Sequence, residues 1–185
     1  MPDFARLMAA LVVCIGPASA AAAATPPAPV PAATPVPAAK PAGPSDKAQI
    51  LALEKGFMAA FNKKDVTKIM SYYAKKDLFV FDVVPPREYV GWDAYKKDWE
   101  GLFKAFPGPL NAAMSELSVT VAGSVAYGHS IQESTFTAAD GSKTDLAVRV
   151  TDVYRKIAGR WQIVQEHVSI PVDLATMKPD PLSKP

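Results

Sequence analysis

The chain has 185 residues, enough for one ordinary domain and too few for two. Apolar residues make up 49% of it, although alanine and 18 prolines inflate that figure, and the formal net charge is only +2. That balance, with lysines and acids mixed rather than blocked, speaks against a nucleic-acid partner or electrostatic membrane binding.

The N-terminus reads as an export signal. Arg6 gives a weak positive start, Leu7 to Ile15 is an apolar run, and Ala18-Ser19-Ala20 is a small-x-small cleavage site. The run falls well short of the ~20 residues needed to cross a bilayer, so no membrane span is expected once residues 1–20 are removed. Val13 is too bulky for lipid attachment at Cys14, and cleavage after Ala20 would remove this single cysteine. The expected location is periplasmic or secreted. Residues 21–44, nearly all Ala, Pro, Val and Thr, read as a polyproline II-like linker, because each proline fixes φ and removes a donor.

Residues 45–173 hold the folded domain. Ser45 is placed to cap a helix in which Ile50, Leu53, Phe57 and Phe61 share one face. Asp65 starts a short second helix with Val66, Ile69, Met70 and Tyr73 inward. Leu78 to Val84 is β-rich and ends at Pro85-Pro86, and Tyr89-Val90 is a brief partner strand. After Gly91, Trp92, Tyr95, Trp99, Leu102, Phe103 and Phe106 form a stripe at helical spacing, stopped by Pro107-Gly108-Pro109. Four strands follow, over Leu110–Val121, Ser124–Thr137, Lys143–Ile157 and Arg160–Val172, with turns at Ala122-Gly123, Asp140-Gly141 and Ala158-Gly159. Residues 174–185, with three prolines, read as a loose tail. The pattern is α+β: three helices packed on a strongly curved antiparallel sheet, leaving a conical cavity.

The last hairpin admits two registers. A two-residue turn pairs Ile157 with Arg160; a three-residue turn with a bulge at Gly159 pairs Lys156 with Arg160. The second gathers Val153, Trp161 and Ile163 on one face and is the expected register. It sets Thr151 opposite Gln165 and Arg149 opposite His167, and turns Arg149 and His167 into the interior.

The run from Arg149 to Ser169 (RVTDVYRKIAGRWQIVQEHVS) resembles the terminal hairpin of SnoaL-like domains in the nuclear transport factor 2-like superfamily. Phe79 to Gly91 (FVFDVVPPREYVG) resembles their first β element. The resemblance covers Ser45 to Asp173 and implies the cone-shaped fold of that superfamily, which includes ketosteroid isomerases, polyketide cyclases and dehydratases. Fold alone does not settle which chemistry, if any, is present. Set against ketosteroid isomerases, the resemblance puts Asp82 where a proton-accepting Asp stands. The tyrosine position falls near Phe57-Met58, which cannot donate a hydrogen bond. The protonated Asp position falls on Arg149, which stays charged, so that steroid chemistry is not expected.

The candidate site follows from these placements. Asp82 is either a proton acceptor or an acid capping the turn before Pro85. His167 is either a general base or a satisfied core histidine. Arg149 either holds an anionic ligand or pairs with Asp82 or Asp152. His129, Trp92, Trp99, Thr151 and Ser169 complete the candidate ligand-binding set, with His129 equally readable as a surface residue and the tryptophans as core. Two histidines without suitable spacing make a poor metal site, and no metal or cofactor is expected. The expected partner is a small organic molecule, anionic or carbonyl-bearing, handled by isomerase-, cyclase- or dehydratase-type acid–base chemistry. The competing expectation is a non-catalytic module that assembles as a homodimer through the open face of the sheet.

Overall fold

The structure is a computed structural model, and it describes residues 43–180. The expected leader, nearly all of the expected linker and the last five residues lie outside them.

Helix α1 (Asp46–Asn62) begins where Ser45 Oγ accepts from the Ala48 backbone N–H at 3.2 Å. It buries Ile50, Leu53, Phe57 and Phe61, as its periodicity predicts, and also Glu54. Asp65 caps α2 (Val66–Met70) in the same way, accepting from Lys68 N at 2.9 Å. Two short strands, β1 (Phe79–Phe81) and β2 (Tyr89–Val90), precede α3 (Trp92–Ala105), which buries Tyr95 and Trp99. Then come β3 (Leu110–Ala122), β4 (Val125–Thr137), β5 (Lys143–Ile157) and β6 (Arg160–Ser169).

These strands form one six-stranded sheet in the order β2-β1-β6-β5-β4-β3. The four long strands are the expected antiparallel meander. The sheet is nevertheless mixed, because β1 runs parallel to β6, with Val80 opposite Glu166 and Phe81 opposite His167. A chain leaving β1 at Asp82 therefore starts beside Glu166. Bulges in β3, between Ser115 and Ser118, and in β6 increase the local twist and bend the sheet around the helices. Asn62 fastens α1 to β3 by donating to Ala112 O at 2.9 Å and accepting from Ala112 N at 2.8 Å. Lys64 joins the end of α1 to the end of α3, donating to the carbonyls of Phe106 and Gly108.

The expected register of the last hairpin is overturned. Ala158 and Gly159 both take positive φ, 47° and 78°, so the turn has two residues and Ile157 pairs with Arg160. The bulge lies further along, at Val164, between the pairs Tyr154–Ile163 and Val153–Gln165. This keeps Trp161 and Ile163 in the core, which the other register was meant to secure, and leaves Val153 facing out with the exposed Gln165. Beyond the bulge, Asp152 stands opposite Glu166, Thr151 opposite His167 and Arg149 opposite Ser169.

Past Ser169 the chain forms a small hairpin, β7 (Val172–Asp173) and β8 (Lys178–Pro179), where the sequence suggests a loose tail. Asp173 holds its turn by accepting from Ala175 N and Thr176 N at 2.8 and 3.0 Å. Among the described residues no helix is long and apolar enough to cross a membrane.

Candidate functional site

A cavity of about 300 Å³ opens between α1, α3 and the inner face of the sheet. Helix α1 contributes Phe57 and Phe61. Tyr95, Asp98, Trp99 and Leu102 reach it from one face of α3. They do so because positions three, four and seven apart share a helix face. The sheet adds Phe136 from β4, Leu146, Val148 and Val150 from β5, and Val168 from β6. The rings lock into one another. Trp99 lies 5.3 Å from Phe61, 6.0 Å from Phe57 and 5.7 Å from Tyr95 between centroids, mostly edge to face. The wall is therefore rigid and apolar, with Gln132 and Ser134 as its polar positions on β4.

One end of the cavity is acidic. Glu166, 4% exposed, accepts hydrogen bonds from Tyr73 at 2.7 Å and Tyr95 at 2.5 Å. The Tyr95 hydroxyl also lies 3.1 Å from Asp82 Oδ2, while Asp82 Oδ1 accepts from Val83 N at 2.6 Å. Tyr95 has a single hydroxyl proton for these two carboxyl groups. If both contacts are hydrogen bonds, the second proton comes from a carboxylic acid. Behind them Asp152 faces Glu166 across the strands, and Tyr154 donates to the buried Glu54 at 2.7 Å. Asp98, which also lines the cavity and lies near enough to Asp82 to feel its charge, accepts from Tyr89 at 2.7 Å.

Burial, which disfavours the charged form, pushes all of these acids toward protonation. Glu54 and Glu166 are each raised to about 7, mainly by burial and against the opposing tyrosine hydrogen bonds. Asp152 is pushed well up by burial and by the neighbouring charges of Glu166 and Glu54. Asp82 and Asp98 also rise through burial, with the Val83 N–H and the Tyr89 hydroxyl pulling back. The same surroundings drive the Tyr73 and Tyr95 hydroxyls well above their usual range. The arrangement can hold protons at neutral pH and pass them between Asp82, Tyr95 and Glu166.

Of the residues proposed from sequence, the structure brings Asp82 and Trp99 to the cavity. Asp82 caps its turn and lines the cavity at once. Trp92 is held elsewhere, donating from Nε1 to Met70 O at 2.8 Å beneath Lys75. Arg149, Thr151, His129 and His167 are exposed on the outer face of the sheet, and Ser169 pairs beside Arg149. The cause is the register: the two-residue turn sets Tyr154 rather than Val153 opposite Ile163, which turns Asp152 inward and Arg149 outward, and the bulge at Val164 then turns Glu166 inward and His167 outward. Among the described residues Arg149 makes no ion pair with Asp82 or Asp152. His167 instead packs its ring 5.4 Å from Phe81.

Sequence reasoning passed over Glu54, Glu166 and the hydroxyls of Tyr73 and Tyr95, and considered Asp152 only as a partner for Arg149. A signal was present. Asp152 alternates with Val148, Val150 and Tyr154, and Glu54 follows Ile50 by four and precedes Phe57 by three, so both sit on apolar faces. Among the described residues no group of His, Cys, Asp and Glu is arranged to hold a metal ion.

Comparison with known proteins places this architecture. The model of the SnoaL-like domain matches residues 50–173. No curated protein matches the chain. Among solved structures, a nuclear transport factor 2-like protein of unknown function from Pseudomonas putida is 30% identical with a TM-score of 0.68, over 77% of this chain and all of the other. A ketosteroid isomerase-like protein from Erwinia carotovora atroseptica is 26% identical with a TM-score of 0.57, over 66% of this chain and 93% of its own. A candidate scytalone dehydratase from Novosphingobium aromaticivorans, at 17% identity and a TM-score of 0.60 over 74% and 93% of the two chains, shares the fold. With the matched domain spanning the helices and the whole curved sheet, the chain belongs to the SnoaL-like domain family, within the nuclear transport factor 2-like proteins.

Proposed function

We propose that the domain binds a small, largely apolar organic molecule in this cavity and performs cofactor-independent acid–base chemistry on it, of the isomerase or dehydratase type. The observation that carries this reading is the Asp82–Tyr95–Glu166 chain at one end of an otherwise apolar cavity. A carboxylate and a carboxylic acid bridged by one hydroxyl can take a proton at one atom and return it at another, which is what such rearrangements need. Pushing both groups up by burial brings them toward the working pH. The site uses hydroxyls from Tyr73 and Tyr95 where the sequence comparison looked for one near Phe57-Met58. The likeness to a ketosteroid isomerase-like protein supports the reaction class and leaves the substrate open.

Filling the cavity tests the binding half of this reading. Leu146→Trp puts a bulky ring into the wall and is expected to abolish binding of a neutral ring compound such as cyclohexylmethanol, measured by calorimetry, while the protein still melts cooperatively. Unchanged binding in that variant would overturn the assignment of the site.

We further propose that the protein works outside the cytoplasm. The apolar run and the Ala18-Ser19-Ala20 cleavage pattern support this reading. Mature protein should begin at Ala21 when its N-terminus is sequenced; a product still starting at Met1 would contradict export by cleavage.

A further inference from the structure

The cavity carries a charge pattern that its apolar walls do not explain. Asp82, Asp98 and Glu166 all reach its lining, and among the described residues no lysine, arginine or histidine does. Behind Glu166, the 4%-exposed Asp152 keeps an Oδ1 that meets no hydrogen-bond donor among the described residues. Its place across the strand pair from Glu166 adds a further carboxyl group behind the acidic end, outside the cavity lining itself. The ion pairs among the described residues lie elsewhere, at Lys96–Glu100 and Lys156–Asp46. The donors that do reach the cavity acids are tyrosine hydroxyls and backbone N–H groups, which bring hydrogen bonds and no positive charge.

What occupies such a cavity is constrained by electrostatics. An anion would face three carboxyl groups in a poorly screened interior with no cation to offset them. A neutral molecule would leave the acids as they are. A cation would supply both the missing donors and the missing charge. Phe57, Phe61 and Trp99, whose π-systems attract positive charge, also line the cavity. Asp82 and Asp98 approach from different elements, the end of β1 and the cavity face of α3, yet Asp98 lies close enough to feel the charge of Asp82.

We propose that the molecule bound here carries a protonated aliphatic amine on an apolar body, with the ammonium seated between Asp82 and Asp98 and the body against Phe61, Trp99 and Phe136. This assignment rests on the cavity being the binding site. An ammonium has three N–H donors and no acceptor, which suits a set of acceptors short of donors. Glu166 keeps its two tyrosine hydrogen bonds, and the ammonium takes the side of Asp82 that Tyr95 and Val83 leave open.

Three compounds with one ring and different head groups test this: cyclohexylmethylamine, cyclohexylmethanol and cyclohexanecarboxylate, titrated calorimetrically at pH 7.5. The amine is expected to bind about ten- to a hundredfold more tightly than the alcohol, the range for hydrogen bonds to a charged group. The carboxylate should be weakest. Asp98→Asn, which keeps an acceptor for Tyr89, should erase most of the amine's advantage over the alcohol. An alcohol that binds as well as the amine overturns the amine assignment and leaves the cavity reading intact. Binding of none of the three overturns both. Amine binding that survives Leu146→Trp belongs to the surface and overturns the amine assignment.

Discussion

Raising the pH from 4.5 to 8 is expected to lower the melting temperature of the domain by about 10 °C, the size of shift that a few kcal/mol produces in a domain of this length. Glu54 and Glu166 move from an ordinary 4.5 to about 7 when the chain folds. The folded state therefore holds protons that the unfolded chain has released across that interval. Stability from this source is complete below 4.5 and is lost as the pH rises through 7. A single carboxyl moved by that much changes stability by about 3 kcal/mol, and two coupled groups do not simply double it. Asp46, Asp140 and Asp173, all held below 3.8, act in the opposite sense and only at more acidic pH. Glu54→Gln and Glu166→Gln keep an acceptor for Tyr154, Tyr73 and Tyr95 while removing the charge, so each variant should flatten the profile. Thermal melts at a series of pH values give the answer directly. A melting temperature that rises or stays level between pH 5 and 7 would show that these acids are not buried as described.

Trp99→Ala is expected to destabilise the domain by about 3–5 kcal/mol, the usual cost of deleting a buried tryptophan. Trp99 is 7% exposed and sits against the rings of Phe57, Phe61, Tyr95 and Phe103. Its removal opens a hole between α1 and α3 that neighbouring rings cannot close without leaving their own contacts. Trp99→Phe should behave differently. The indole Nε1 is buried with no hydrogen-bond partner among the described residues, so the phenyl ring gives up volume but also relieves an unmatched donor. Chemical denaturation of the two variants separates these effects. Equal losses would mean that ring packing at this position matters little.

Most of the architecture was legible because it is local. Ser45 and Asp65 cap helices by their own side chains, and the aromatic stripe from Trp92 to Phe106 has helical spacing. The four long strands announce themselves by length and by their turns. Two features escaped, and both are non-local. The parallel pairing of β1 with β6 joins three-residue stretches more than 80 positions apart, which leave no periodic mark. The bulge at Val164 is decided by packing on both sides of the sheet, and a bulge at Gly159 satisfies the same apolar pattern around Trp161 and Ile163.

That one placement decided the site. With the bulge at Gly159, Arg149 and His167 would face inward and suggest an anionic ligand. With it at Val164, Asp152 and Glu166 face inward and the cavity turns acidic. Asp82 and Trp99 reach the cavity in either register, because the end of β1 and the face of α3 do not depend on the last hairpin. The acids were hard to see for another reason. A carboxyl group on an apolar face is usually a surface residue at the rim, and only the tyrosines supplied by distant segments make its burial tolerable.

The claim on which the rest depends is that small molecules enter the cavity between the helices and the inner face of the sheet. Methyl NMR of labelled protein titrated with cyclohexylmethanol tests it most directly. The account predicts shifts at Leu102, Leu146, Val148, Val150 and Val168, whose methyl groups line the cavity, and none at Val125 on the outer face. Shifts gathered instead around Ile131 and Val153, on the outer face near Arg149 and His167, would contradict it and return the site to the outer face of the sheet.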